Sequence, residues 1–324
     1  MAVRAVGKHR LYGQAVTAQP ELQHIGIEGP LTEEENEKWQ EGWVKYQDGI
    51  YMYNEEILTF LVMGIDKQND VEEVEEGTDG GQADALFLVA LNPKDESIKV
   101  IGINRNTMTD IAIYDDSGKY VSTVKAQLAI QHGFGNGVEE SCEYQKKAVE
   151  NLFYQLPIHG YAAVNMSAVS TINDAVGGVD VTVPWDLAGF NEDFVEGRRL
   201  HLKGEEAFWY VKYRNTDIFG SADMRLDRQK QYLNGFIAAA KQSVQEDTSA
   251  VIDLYQAVKP QMVTDVSLDE AVYLAPILAD YTYNEDDFHM LQGETVMGEQ
   301  YEEFYPDEDA MLEMILDVFY EKVQ

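Results

Sequence analysis

Eight arginines occur in 324 residues, and two of them sit where a charge is costly. At about 100° per residue, Tyr232, Leu233, Phe236, Ile237 and Ala240 form the apolar stripe of a helix beginning near Asp223. Arg225 falls inside that stripe and Arg228 on its margin. Burying a guanidinium without a partner costs several kcal/mol, so both need carboxylates or a bound anion. Internal salt bridges with Asp217, Asp223 or Asp227 are one answer. A phosphate is the other, because its oxygens match the planar fork of arginine bidentately.

Asp66 and Asp84 are the complementary charges. Each stands at the end of an apolar run, with no His or Cys near it in sequence. Two such carboxylates suit a hard cation such as magnesium, which takes one or two protein carboxylates and completes its shell with water and substrate phosphate. A single Asp at a strand end also serves as an ordinary turn residue. Its joint position with Arg105 is what favours a site.

The elements that must position these residues follow from hydrophobic patterning. ILTFLVMGID (57–66) reads as a buried strand, ALFLVALN (85–92) as a second, and SIKVIGINR (97–105) as a third after the turn Asn92-Pro93-Lys94-Asp95. In an antiparallel meander the end of the first strand, the start of the second and the end of the third share one edge. Asp66, Asp84 and Arg105 are then neighbours. Helices are predicted at 124–132 and 141–156, the latter capped by Ser141, and around 167–176, 204–213 and 223–241, with strands at 159–165 and 179–183. The stretch from Asp253 onward reads as mainly helical and acidic. Glu285 to Glu321 holds thirteen Asp and Glu and no Lys or Arg, the pattern of a solvated face.

Strands alternating with helices predict an α/β fold, a three-layer α/β/α sandwich around a mixed, partly antiparallel central sheet. Residues 1–50 read as an N-terminal lead-in, with a short acidic helix over 31–44 capped by Thr32 and Glu35, and 51–324 as a single domain.

Composition removes several function classes. A net charge of −34 with no basic patch argues against nucleic acid. No apolar run approaches the roughly 20 residues of a bilayer span. One cysteine, Cys142, allows no internal disulfide. The six histidines are scattered without metal-ligand spacing, and HGFGNG (132–137) does not join a strand to a helix as a phosphate loop does.

Taken in order, LVMGID (61–66), GQADALFLVALNP (81–93), VIGINRNTM (100–108), VKAQLAIQHGFGNG (124–137) and VKYRNTDIFGSADMRLDRQKQYL (211–233) resemble the LytR-CpsA-Psr family, with residues 156–184 joining them. The resemblance spans about Ile57 to Lys241. It implies a magnesium-dependent enzyme on the extracellular face of the cytoplasmic membrane of Gram-positive bacteria. Such enzymes are held by an N-terminal membrane anchor, which this sequence lacks. They move an anionic glycopolymer, such as wall teichoic acid or capsule, from a polyprenyl-pyrophosphate carrier to a peptidoglycan sugar hydroxyl, forming a phosphodiester.

Residue by residue, the resemblance implies that Asp66 and Asp84 hold Mg2+, that Asp84, Arg105, Arg225 and Arg228 are catalytic, and that Lys125, Gln82, Asn106, Arg214 and Gln229 contact substrate. It places Lys125 at the start of a helix and a polyprenyl tunnel between sheet and helices, walled by residues around 148–156 and 232–240. Gln82 and Asn106 depart from the family's Arg and Asp, and their charges balance as a neutral pair would. Those departures keep two alternatives open: a non-catalytic binder of polyprenyl phosphate or wall polymer, and a pyrophosphatase using water as acceptor.

Overall fold

A computed structural model of the chain describes residues 6–7, 10–11, 19–22, 39–74, 80–115, 117–187 and 189–323. The strands that open it are β1 (Trp43–Tyr46), β2 (Gly49–Tyr53), β3 (Leu58–Ile65), β4 (Ala83–Asn92), β5 (Ser97–Ile103), β6 (Met108–Tyr114) and β7 (Tyr120–Gln127). A 3-10 segment, Leu128–Phe134, leads to α1 (Glu139–Leu152), β8 (Gly160–Asn165), α2 (Ala168–Ala175), β9 (Val179–Thr182), β10 (Arg199–Leu202), α3 (Glu205–Lys212) and α4 (Ser221–Glu246). The chain closes with α5 (Ala250–Val258), β11 (Met262–Thr264), α6 (Leu268–Asp280), β12 (Phe288–Met290), β13 (Gly293–Met297), β14 (Glu302–Pro306), α7 (Glu308–Phe319) and β15 (Tyr320–Lys322).

The central sheet has the order β11-β8-β3-β4-β5-β12. β3-β4 and β4-β5 are antiparallel, β3-β8 and β5-β12 parallel, so the sheet is mixed and the meander stands at its middle. Period-2 alternation sends Leu61, Met63, Leu86, Leu88 and Ile101 to one face, where they are fully buried against Val149 and Phe153 from α1 and its C-terminal turn and Ile315 and Phe319 of α7. Phe60, Val62, Phe87 and Val89 point to the other face, toward Leu226, Leu233 and Ile237 of α4 and Leu274 of α6. Three layers result.

The two faces are sealed unequally. On the α4 side Phe60, Val62, Val89, Ala162 and Val164 remain half-buried although their strands are internal to the sheet. Leu233, Phe236 and Ile237 of α4 are also half-buried. Where α4 does touch its neighbour it comes very close: a Cβ on Gly235 would lie 2.4 Å from the Asp180 carbonyl oxygen, so only glycine fits there.

Several local expectations are corrected. Residues 31–38 of the expected acidic helix lie outside the described residues, and Trp43 and Val44 begin β1. The helix expected at 124–132 is strand β7 as far as Gln127, paired along its length with β6, and Lys125 is therefore on a strand. α1 starts at Glu139, and Ser141 is its third residue, accepting from Gly137 N–H at 2.7 Å. The stretch from Asp253 onward, expected to be mainly helical, holds five strands beside its helices, β11 to β15.

Candidate active site

The meander delivers Asp66, Asp84 and Arg105 to one sheet edge, and a β-bulge aims Asp84. Gly64 of β3 opposes Ala85 while its neighbour Ile65 opposes Ala83, so Asp84 is the extra residue on β4. Ala83 and Leu86 face the α1 core and Ala85 the α4 side. The inserted residue is thereby free to meet α4.

It meets Arg225. Arg225 Nη1 lies 2.9 Å from Asp84 Oδ2 and Nη2 donates to the Asp84 carbonyl at 3.4 Å. Arg105 Nε stands 3.0 Å from Asp84 Oδ1, an ion-pair distance without hydrogen-bond alignment, and its Nη2 donates to Gln82 Oε1. Burial lowers the Arg105 pKa, opposed by Asp84. Arg214 is half-buried, its pKa lowered by burial and then by the charge of Arg225, and it also feels Asp84. Two arginines thus flank one carboxylate, with Arg214 in electrostatic reach of all three.

Asp66 is exposed beside them. Its Oδ1 accepts Gln82 N–H at 2.7 Å, and its own N–H donates to the Gln82 carbonyl at 3.0 Å. Gly81, at φ +84, makes the turn into Gln82 that this exchange requires. The turn is braced from behind by His132, whose Nδ1 donates to the Gly81 carbonyl at 3.0 Å while Cys142 Sγ lies 3.8 Å from its Nε2. Burial draws the His132 pKa down to about 4. The histidine is a neutral structural strut.

Arg228 and Gln229 do different work from Arg225. Arg228 Nε donates to the Tyr210 carbonyl at 2.9 Å and its Nη2 to the Tyr213 carbonyl, while Gln229 Nε2 donates to the Val211 carbonyl at 3.2 Å. These are carbonyls at the C-terminal end of α3, which have no partners within their own helix. Two side chains of α4 therefore cap α3, and Arg214 follows directly on the capped turn. Burial lowers the Arg228 pKa to about 10.

Lys125 stands apart, exposed on β7 and 3.5 Å from Asp110. Asn106 is buried, and its carbonyl accepts the Phe304 N–H at 3.0 Å. Gln82 bonds Arg105, so it does not form the neutral pair with Asn106 that the balanced charges imply.

Sequence reasoning did not reach Asp223 in its actual setting. Its carboxylate accepts from Asn104 Nδ2 and, at 2.8 Å, from Thr295 Oγ1, tying α4 to the Arg105 loop and to β13. Thr295 lies far along the chain in a stretch that reads only as acidic, so no local signal points to it. Among the described residues no three acidic, His or Cys side chains gather as a metal cluster. Asp66 and Asp84 are the carboxylates at this edge that could hold magnesium, an ion that takes one or two protein carboxylates, and both Asp84 oxygens already face arginines.

A cavity of about 1340 Å³ opens along the C-terminal half of α4, with Gln231, Asn234, Ile237, Ala238 and Tyr283 in its lining. The tunnel wall expected at 148–156 lies elsewhere: α1 and its C-terminal turn pack against the opposite, sealed face of the sheet.

Solved structures share this architecture. The Bacillus subtilis TagV crystal structure superposes with a TM-score of 0.62 at 24% identity, over 81% of this chain and 95% of that one. A structure of TagT bound to LI-WTA gives 0.61 at 20%, over 81% and 89%. In sequence, the polyisoprenyl-teichoic acid–peptidoglycan teichoic acid transferase TagU of Bacillus cereus (strain AH820) is 29% identical over 72% of this chain and 69% of its own length. Bacillus subtilis (strain 168) TagV, a transferase of the same name, is 30% identical over 71% of this chain and 56% of its own. The LytR_cpsA_psr family model matches residues 27–317, and with Asp84, Arg105 and Arg225 converging on one edge of the family's fold, the chain belongs to that family.

Proposed function

We propose that the protein transfers an anionic glycopolymer from a polyprenyl-pyrophosphate carrier to a sugar hydroxyl of peptidoglycan. One observation carries the reading: in a chain of net charge −34, Arg105, Arg214 and Arg225 gather at the edge of a sheet whose α4-side apolar face is only half-buried. A cationic edge beside open apolar surface fits a ligand that is a pyrophosphate at one end and a hydrocarbon at the other. The names of the TagU and TagV relatives support the same substrates.

In this mechanism Arg105, Arg214 and Arg225 bind the pyrophosphate and absorb the charge that grows on the departing phosphate. Asp84 holds Arg105 and Arg225 in register before substrate arrives, which removes reorganisation from the reaction. Gln82 fixes the other edge of Arg105. Magnesium, held by Asp66 and Asp84, would supply further neutralisation of phosphate oxygens. The apolar residues Phe60, Val62, Ala162 and Val164 shelter the polyprenyl chain. A peptidoglycan acceptor supports action at the cell surface, and no helix among the described residues is long and apolar enough to cross a membrane.

The test is turnover of a polyprenyl-pyrophosphate-linked glycan with and without a peptidoglycan oligomer. Acceptor-dependent release of polyprenyl phosphate supports transfer. Release without acceptor favours a pyrophosphatase, and binding without release a non-catalytic carrier protein.

A further inference from the structure

Both oxygens of Asp84 face guanidinium groups, at 3.0 and 2.9 Å, so this carboxylate is occupied in holding Arg105 and Arg225. An attacking sugar hydroxyl still has to lose its proton. Another acceptor is required, and Glu302 has the features of one.

Glu302 opens β14, a strand that runs beside the Arg105 loop: Phe304 N–H donates to the Asn106 carbonyl at 3.0 Å, and Thr107 bridges to Phe304. The Glu302 carbonyl accepts Gln127 Nε2 at 2.7 Å, and its Oε1 accepts the Gly220 N–H at 2.8 Å. The side chain is thus fixed at the start of α4, the helix that carries Arg225. Its Oε2 is buried with no hydrogen-bond partner among the described residues. Arg214 stands within electrostatic reach of both Asp84 and Glu302. A buried carboxylate oxygen without a donor is unfavourable, and a bound hydroxyl would satisfy it.

We propose that Glu302 is the catalytic base of the transfer, an inference that rests on the polyprenyl-pyrophosphate reading above. Its Oε2 accepts a hydrogen bond from the acceptor sugar hydroxyl and takes that proton as the hydroxyl oxygen bonds to the glycan-bearing phosphorus. The bond from this phosphorus to the bridging oxygen breaks, and polyprenyl phosphate leaves with the electron pair. Arg105, Arg214 and Arg225 receive the charge.

Glu302→Gln tests this, because the amide keeps an Oε1 acceptor for the Gly220 N–H and so preserves the start of α4. With a polyprenyl-pyrophosphate-linked glycan and a peptidoglycan oligomer, kcat should fall by about 100-fold or more, the scale of a lost general base. The donor KM and the melting temperature should stay within error. The deficit should shrink with acceptors whose hydroxyl is more acidic, since these need less help in losing a proton. An active wild type whose Glu302→Gln variant keeps its kcat, or loses only donor affinity, overturns the assignment of Glu302 alone. A wild type that neither binds nor turns over the donor overturns the transferase reading and this inference with it.

Discussion

Arg225 Nη1 lies 2.9 Å from Asp84 Oδ2, joining the helix layer to the central sheet through a salt bridge whose side chains are 6% and 16% exposed. It is made at the single point where β4 carries an extra residue. With Arg105 on the other carboxylate oxygen, the trio keeps one positive charge in excess. The same contact fastens the layers and leaves the site attractive to anions.

Arg225→Ala should therefore lose both activity and stability. Removing one partner of a buried pair costs about 3–5 kcal/mol, at the low end here because Arg105 still neutralises Asp84. Urea midpoints should show that loss, and an Arg225→Ala/Asp84→Ala double variant should be less stable still, because it strands buried Arg105 without its counter-charge. A double variant as stable as the wild type would show that the Asp84 charge does not support the two arginines.

Arg228→Met should act through α3 instead. Removing donors from the Tyr210 and Tyr213 carbonyls costs about 2–3 kcal/mol. Thermal scans should show a lower melting temperature, while donor affinity measured well below the transition changes little. A large affinity loss at full fold would give Arg228 a direct phosphate contact.

The unequal faces of the sheet predict opposite outcomes for adjacent residues. Leu61→Ala, on the sealed face, should cost about 2–5 kcal/mol of stability. Val62→Trp, on the half-open face, should fill space the polyprenyl chain needs, lowering donor affinity tenfold or more with little change in melting temperature. Equal loss of stability in both variants would mean that this face has no room to give.

His132 sets a pH response. Burial stabilises its neutral form, with a pKa of about 4 against 6.5 for the exposed group. As pH falls below 6.5 the unfolded chain binds the proton first, so stability present above pH 6.5 drains away toward pH 4. The loss is about 1 kcal/mol by pH 5.5. His159, also lowered to about 4 by burial, adds in the same direction. Urea midpoints at pH 7.5 and 5.5 should therefore separate more for the wild type than for His132→Gln, which keeps the contributions of His159 and of His289, also lowered by burial. Equal separations would refute the assignment.

What could be read from the chain was whatever rests on neighbouring residues. The strands at 57–66, 85–92 and 97–105 are continuous apolar runs divided by strong turn residues, and their antiparallel order alone brings Asp84 beside Arg105. Arg225 was legible because an arginine inside an apolar stripe is conspicuous. The bulge at Asp84 was not, since it is defined by the partner strand and leaves no mark in the local sequence. β7 was misread because Val124 and Leu128 are spaced as on a helix, whereas the strand exists through its pairing with β6. Glu302 was hidden among the thirteen acidic residues of its stretch. Only tertiary placement separates it from them.

β15 has a bearing on how the molecule is made. Tyr320 opposes Tyr53 and Lys322 opposes Tyr51, so the outer three-stranded sheet is completed by residues near the end of the chain. During synthesis, β2 has to wait some 270 residues for this neighbour, exposing an unpaired edge throughout. Closing so long a loop adds little entropy beyond a shorter one, because the cost grows only with the logarithm of length. The delay is one of time rather than free energy. Truncation before Tyr320 should leave the Arg225–Asp84 contact reachable but β2 uncovered, a product marked for aggregation or proteolysis rather than for loss of chemistry.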